Sequence, residues 1–217
     1  MKKYFAMLVS MALIFSVLVS PVWAAGGKVR SDKAEGPAGT TGEGKVEANR
    51  GFAAGTNIQA PVALKEEEIN HITYLRQEEK LARDGYLMLS ELYPAPIVAN
   101  ISESEQRHMD ALKNLIDKHE LEDPVKDDTV GVFPVPETEE DTNFNKLYDD
   151  LVNQEGMNYC DALQVGIFIE VLDIEDIEIA LNDVEAQDVS RVFNNLLSGS
   201  YNHLNAFQSQ YKANNCE

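Results

Sequence analysis

The chain has 217 residues, 44% of them hydrophobic, enough to bury one good-sized core with residues left over. Eighteen basic residues stand against 37 acidic ones, and the net charge of −19 repels nucleic acid and anionic membrane surfaces, so neither is expected as a partner. Two cysteines, Cys160 and Cys216, with no Cys-x-x-Cys pair, exclude zinc-ribbon, rubredoxin-type and thioredoxin-type centres.

Lys2 and Lys3 precede an apolar run over 4–19, followed by Ser20-Pro21-Val22-Trp23-Ala24-Ala25. A charged start, an apolar run and a small-residue cleavage site predict a signal peptide over 1–24, the alternative being an uncleaved anchor. Export follows, to the periplasm, cell envelope or exterior, with no membrane association after cleavage. Residues 25–61 are rich in Gly, Ala and Thr and poor in large apolar side chains. Such a segment cannot offset its chain entropy, so it is expected to be a disordered leader. The folded domain is expected over 62–217.

A first helix is predicted over 65–92, stopped by Tyr93-Pro94-Ala95-Pro96. Its stripe reads Ile69, Ile72, Leu75, Glu79, Ala82, Tyr86, Leu89, so Glu79 stands where an apolar residue is due. Glu78 is the competitor, on the face of Tyr74, Leu81 and Met88. A second, antiparallel helix over 97–119 carries Glu105 and His108 amid Ile97, Ile101, Ala111, Leu112 and Leu115. The link over 121–158, with a short helical piece at 144–152, is far longer than a hairpin requires and can cross from one end of a bundle to the other.

A third helix over 159–182 shows Leu163, Gly166/Ile167, Glu170, Asp173/Ile174, Ile177, Leu181. A fourth, from near Asp188 to about 212 and capped by Asp183 or Asp188, shows Val189, Val192/Phe193, Leu196, Ser200, His203, Phe207. No strand alternation competes. The expected fold is all-α: a four-helix bundle with a long crossover between the second and third helices. If the last two helices are antiparallel, Cys160 and Cys216 meet, and export permits a disulfide; two free thiols are the alternative. The acid runs 66–68 and 137–141 are expected to be solvated. His71 and His119 are expected at the surface, and Met88 and Met109 in packing.

Each long helix thus interrupts its apolar stripe near the middle: Glu79, then Glu105 with His108, then Glu170 with Asp173, then His203 after Ser200. Residues three apart on a helix share a face, so Glu105 and His108 project together. A charge in an apolar stripe must be paired, neutralised or bound to a cation. Four carboxylates with two neutral imidazoles carry a charge that two divalent cations balance. Mixed oxygen and nitrogen donors suit iron or manganese better than zinc.

Glu79-x-x-Ala82-Arg83-x-x-Tyr86 resembles the first helix of rubrerythrin-like ferritin-like proteins, and Glu105-x-x-His108 resembles their second. Glu170-x-x-Asp173 is similar to their third-helix Glu-x-x-Glu, with Asp substituted. Over 66–207 the chain resembles an uncharacterised prokaryotic ferritin-like domain family. The matching phrases are 78–84 (Glu78-Glu79-Lys80-Leu81-Ala82-Arg83-Asp84), 103–109 and Asn202-His203-Leu204-x-Ala206-Phe207. The resemblance implies a ferritin-like fold, two iron ions (manganese being the alternative), and oxidation of Fe(II) or reaction with O2 or peroxide. It also implies that Tyr86 is the phenol for radical or proton chemistry.

One position departs from the pattern: Ser200 stands where rubrerythrins carry a fourth-helix Glu. No cysteine-rich iron centre accompanies the domain, so redox turnover would need an external electron donor. The alternatives are a non-catalytic module that buffers metal or docks to a partner, and a purely structural bundle. A homodimer is left open.

Overall fold

The computed structural model describes residues 63–139 and 141–216, so the expected signal segment and leader lie outside it. Among the described residues there are five helices and no strand: α1 (Glu66–Leu92), α2 (Pro96–Lys118), α3 (Phe144–Val152), α4 (Tyr159–Asp183) and α5 (Gln187–Ala213). None is long and apolar enough to cross a membrane. Pro96 opens α2 one residue after its cap, where a missing N–H costs nothing. Asn158 caps α4, its side chain accepting from the N–H groups of Cys160 (2.8 Å) and Asp161 (3.3 Å).

The long helices are neighbours in the cyclic order α1, α2, α5, α4, and α3 lies against α1. Their apolar residues do not form one continuous core. One cluster joins Ile72, Leu75, Leu112, Ile177, Phe193 and Leu196, among others. The other joins Ala82, Tyr86, Ile101, Ile169 and Phe207 with the residues of α3. On every long helix the polar interruption falls between these two clusters: Glu79 between Leu75 and Ala82, Glu105 and His108 between Ile101 and Leu112. Glu170 and Asp173 fall between Ile169 and Ile177, and Ser200 and His203 between Leu196 and Phe207. The four interruptions therefore form one buried polar layer.

Helix α1 is buried on all sides at its middle, every residue of 78–86 being buried. A second stripe, Arg76, Lys80, Arg83 and Asp84, steps by four, three and one and holds the crossover. Arg76 donates to Asp123 and to the Met109 carbonyl. Lys80, fully buried, donates to Asp84 and to the Thr129 carbonyl (2.8 Å) and lies 4.7 Å from the Phe133 ring centroid. Arg83 donates to Asp84, Gln106 and Asp128, and Asp84 accepts the Gly131 N–H at 2.9 Å. Gly131 has φ +76, and a Cβ there would meet the Tyr148 ring at 2.7 Å.

Two expectations are corrected. Neither Asp183 nor Asp188 caps α5. The cap position is Ala186, and the turn before α5 is held by Glu68 of α1, which accepts the N–H groups of Glu185 (2.8 Å) and Ala186 (2.7 Å). Asp188 instead accepts from Lys118 and His119. The run 66–68 is consequently not all solvated: Glu68 is 2% exposed because it satisfies backbone donors of a distant turn. His119 is only part-exposed, through its contact with Asp188, and His71 contacts Asp183 at 3.1 Å.

Cys160, at the start of α4, and Cys216, after α5, form a disulfide with Cα atoms 5.4 Å apart and a sequence separation of 56. By chain entropy a loop of that length stabilises by about 4 kcal/mol. The crossover latch generates a test. Lys80→Ala leaves Asp84 and the Thr129 carbonyl short of a buried donor, and breaking such a pair costs about 3–5 kcal/mol. Denaturant unfolding should show that loss, whereas an exposed pair such as Lys113–Asp117 should give under about 1 kcal/mol on Lys113→Ala.

Candidate metal centre

Of the sequence-expected site residues, Glu79, Glu105, Glu170 and Asp173 are 0–2% exposed, and His108 and His203 are 9% and 8% exposed. The structure brings all six into the polar layer. Two triads converge, each with one ligand-type atom per residue and all three atoms within 4.8 Å of one another: Glu79, Glu105, His108, and Glu105, Glu170, His203. Glu105 belongs to both. Its Oε2 lies 2.7 Å from His108 Nδ1 and its Oε1 2.6 Å from His203 Nδ1. Each imidazole has a further carboxylate: Glu79 Oε2 at 3.1 Å from His108 Nδ1, and Glu170 Oε2 at 3.5 Å from His203 Nδ1. The two rings face each other, 5.5 Å between centroids and 29° between planes.

Direction matters as much as distance. Glu105 Oε1 and Oε2, Glu79 Oε1, Asp173 Oδ1 and His203 Nδ1 have no hydrogen-bond partner despite their burial. The 2.6 Å contact between His203 and Glu105 is therefore not aligned as a hydrogen bond. Buried polar atoms without partners are costly. Donor atoms that crowd together without pointing at each other fit a common ligand between them. The nitrogen and carboxylate donor set fits a divalent transition metal.

Asp173 completes the layer from α4. The Ser200 hydroxyl donates to its Oδ2 and is also within donating reach of the Leu196 carbonyl, at 3.0 Å. Ser200, expected as a lost ligand, thus orients a neighbouring carboxylate and leaves Asp173 Oδ1 unpaired. The Tyr86 hydroxyl donates to Glu170 Oε1 at 2.6 Å, and its ring packs on Phe207 with centroids 5.2 Å apart. Phe207 fits because Gly166 has no side chain; a Cβ there would lie 2.6 Å from the ring.

The electrostatics follow from burial without compensating cations. Burial, with the Glu105 charge added, pushes Glu170 up to about 8 and Asp173 up to about 7. Burial and then Asp173 hold Glu79 well above the usual carboxylate range. Glu105 is the exception: burial would raise it, but His108 and His203 outweigh burial and pull it down to about 2. Burial opposes both imidazolium ions, yet the facing carboxylates win, raising His108 to about 11 and His203 to about 9. Burial and Glu170 push the Tyr86 hydroxyl up.

Sequence reasoning missed three contributors. Glu78, weighed as a competitor of Glu79, is buried beside it, 1% exposed. Its signal was present in the double acid. Gly199 is the second: a Cβ there would lie 2.4 Å from His108 Nε2, so only glycine lets α5 approach that ring. The third is the stripe Arg76, Lys80, Arg83, visible as basic residues at helical spacing. A shallow depression of about 480 Å³, lined by Pro136, Glu137, Thr138, Glu139, Asp141 and Asn143, shares no residue with the centre.

Two tests follow. In metal-free protein, Glu170, Asp173, His108 and His203 all have folded pKa values above the unfolded ones, so the folded state holds more protons. Their contribution to stability is complete only below about pH 4 and is lost progressively as pH rises through the folded values of about 7, 8, 9 and 11. Thermal melts in chelator should show the midpoint falling by several degrees from pH 5 to pH 8. Mn(II) should restore it more at pH 8 than at pH 5, because the metal then has fewer protons to displace from its ligands. Separately, Gly199→Ala should displace His108 and weaken Mn(II) binding by about tenfold or more in equilibrium dialysis, with helical content unchanged.

The chain has relatives among known proteins. It is 46% identical over 144 residues to uncharacterized protein MJ0754 of Methanocaldococcus jannaschii, an overlap covering 66% of this chain and 75% of that one. The crystal structure of hypothetical protein MJ0754 from the same organism superposes with a TM-score of 0.66 at 43% identity, covering 70% of this chain and 83% of that one. The family model described as an uncharacterized protein domain, DUF2202, matches residues 68–216. The chain belongs to the DUF2202 family.

Proposed function

We propose that the four long helices form a ferritin-like bundle around a dinuclear metal centre, and that the protein oxidises Fe(II) with O2 or peroxide. The observation that carries this reading is the pair of triads sharing Glu105. Glu105, with one oxygen toward each imidazole, would contribute to both half-sites. Glu79 with His108 would hold one ion, and Glu170 with His203 the other. Asp173, to which Ser200 donates, supplies the fourth carboxylate. The charge then closes: four carboxylates against two divalent cations.

Bound iron would supply the electrons for reducing the oxidant, with manganese the alternative occupant. The chain's own residues do the rest. The two apolar clusters keep water from the layer on both sides. Glu105 fixes the spacing of the two half-sites through its contacts with both imidazoles. The Tyr86 hydroxyl donates to Glu170 Oε1 and orients that carboxylate, a phenol in direct contact with the layer. Both cysteines are in the disulfide, so electrons for turnover beyond Fe(II) itself would come from an external donor. The disulfide also supports export, since such bonds persist in oxidising compartments. With the signal segment expected over 1–24, the protein belongs outside the cytoplasm in this reading.

Elemental analysis after anaerobic Fe(II) loading should give about two ions per chain, the number the charge balance requires. Mixing with O2 should produce the ferric absorbance rapidly, and Glu105→Ala should slow it by about a hundredfold or more, since it removes a contact from both half-sites. A chain retaining fewer than about 0.2 iron would defeat the proposal.

A further inference from the structure

The two halves of the polar layer are not alike. On one side both carboxylates approach the imidazole closely: Glu105 Oε2 lies 2.7 Å from His108 Nδ1, and Glu79 Oε2 lies 3.1 Å from it. Glu79 Oε1 has no hydrogen-bond partner, so that carboxylate has both oxygens on offer. On the other side Glu105 Oε1 is 2.6 Å from His203 Nδ1, but Glu170 Oε2 is 3.5 Å from the same nitrogen. Glu170 has only that oxygen to offer, because the Tyr86 hydroxyl donates to its Oε1 at 2.6 Å.

Tyr86 is held where it can do this. It is fully buried, its ring lies against Phe207, and Gly166 makes the room that Phe207 occupies. A second acceptor, the Gly166 carbonyl, is farther from the hydroxyl at 3.4 Å, so the proton goes to Glu170. Ser200 treats the other acid of α4 in the same way, committing Asp173 Oδ2 and leaving Oδ1 unpartnered. Both acids of α4 thus present a single oxygen to the layer. A carboxylate with two free oxygens can bind an ion through both, whereas one that accepts a hydroxyl binds through the other alone. The donated hydrogen bond also keeps that remaining oxygen pointed at its target.

We infer that the half-sites bind unequally and that Tyr86 is a positioning residue for one of them alone. Glu79 with His108 retains one ion tightly. Glu170 with His203 holds the other through fewer atoms, and this is the ion that exchanges with solution. Tyr86 keeps Glu170 Oε2 turned toward His203; without it Glu170 is free to rotate away and the second ion is lost first. Glu105 belongs to both triads and so does not separate them. The unequal pair rests on the dinuclear reading and gives its two ions different roles, one resident and one taken up and released. The release is a ligand exchange, water for a carboxylate oxygen, and no electron moves in it.

The test titrates the full chain with Mn(II), by equilibrium dialysis and by paramagnetic resonance. Wild-type protein should bind two ions in two steps, the second about tenfold or more weaker than the first. At one equivalent the resonance should be that of an isolated ion, giving way to a coupled pair as the second enters. The tyrosine near-UV difference spectrum should grow with the second ion and not with the first, which tests Tyr86 without any substitution. Tyr86→Phe, nearly isosteric, should weaken the second step by about tenfold and leave the first within about twofold. Glu79→Gln should instead weaken the tight step. A general loss of packing would move both steps together, so the split separates positioning from structural support. Two equal steps in wild-type protein overturn the unequal pair alone. A tyrosine signal that follows the first ion overturns the role of Tyr86, as does Tyr86→Phe with both steps shifted alike or the second unchanged or tighter. Wild-type protein that binds no metal overturns the dinuclear reading as well.

Discussion

The rest of the structure depends on one constraint: five carboxylates, from Glu78, Glu79, Glu105, Glu170 and Asp173, lie 0–2% exposed in one layer with two imidazoles. Taking that much charge out of water costs several kcal/mol per ion unless something compensates it. In metal-free protein the compensation is protons, which is why every acid there except Glu105 is raised. Glu105 stays ionised because both imidazoles face it. Metal ions would do the same work with fewer conflicts, and they would relieve the misaligned contact between His203 and Glu105.

The fold is arranged to hold that layer in place. Two separate apolar clusters sandwich it, so neither end of the bundle can shift without exposing a core. The crossover is pinned to α1 by Arg76, Lys80 and Arg83, on the flank of α1 that adjoins Glu79. The phrase Glu78-Glu79-Lys80-Leu81-Ala82-Arg83-Asp84 thus divides by role: the two acids lie in the layer, and the basic residues with Asp84 serve the latch. At the other end, Glu68 ties α1 to the turn before α5. Small residues set the distances: Gly166 admits Phe207, which supports Tyr86, and Gly199 admits His108.

Much of this was legible in the residues, for identifiable reasons. Helices and their ends follow from periodicity and from breakers such as Pro94 and Pro96, and those signals are local. Interruptions of an apolar stripe are also local, so Glu79, Glu105, His108, Glu170, Asp173 and His203 could be picked out without coordinates. The cap of α5 could not. Its partner, Glu68, lies more than a hundred positions away, and Asp183 and Asp188 were better local candidates. Nor could Glu78 be assigned, because a single amphipathic stripe presumes one buried face, whereas the middle of α1 is buried on all of them.

The sequence by itself marked Glu79, Glu105, His108, Glu170, Asp173 and His203 as buried polar groups, since an acid or imidazole at helical spacing in an apolar stripe can go nowhere else. It determined the antiparallel partners through loop length and offered Cys160 and Cys216 for pairing through their places at helix ends. Only the tertiary structure decided how the groups meet: that Glu105 has one oxygen for each imidazole, and that Ser200 aims Asp173 rather than leaving a gap. It also decided that Glu78 joins Glu79 inside. Those outcomes depend on the relative rotation and depth of four helices, which long-range packing sets and no local pattern encodes.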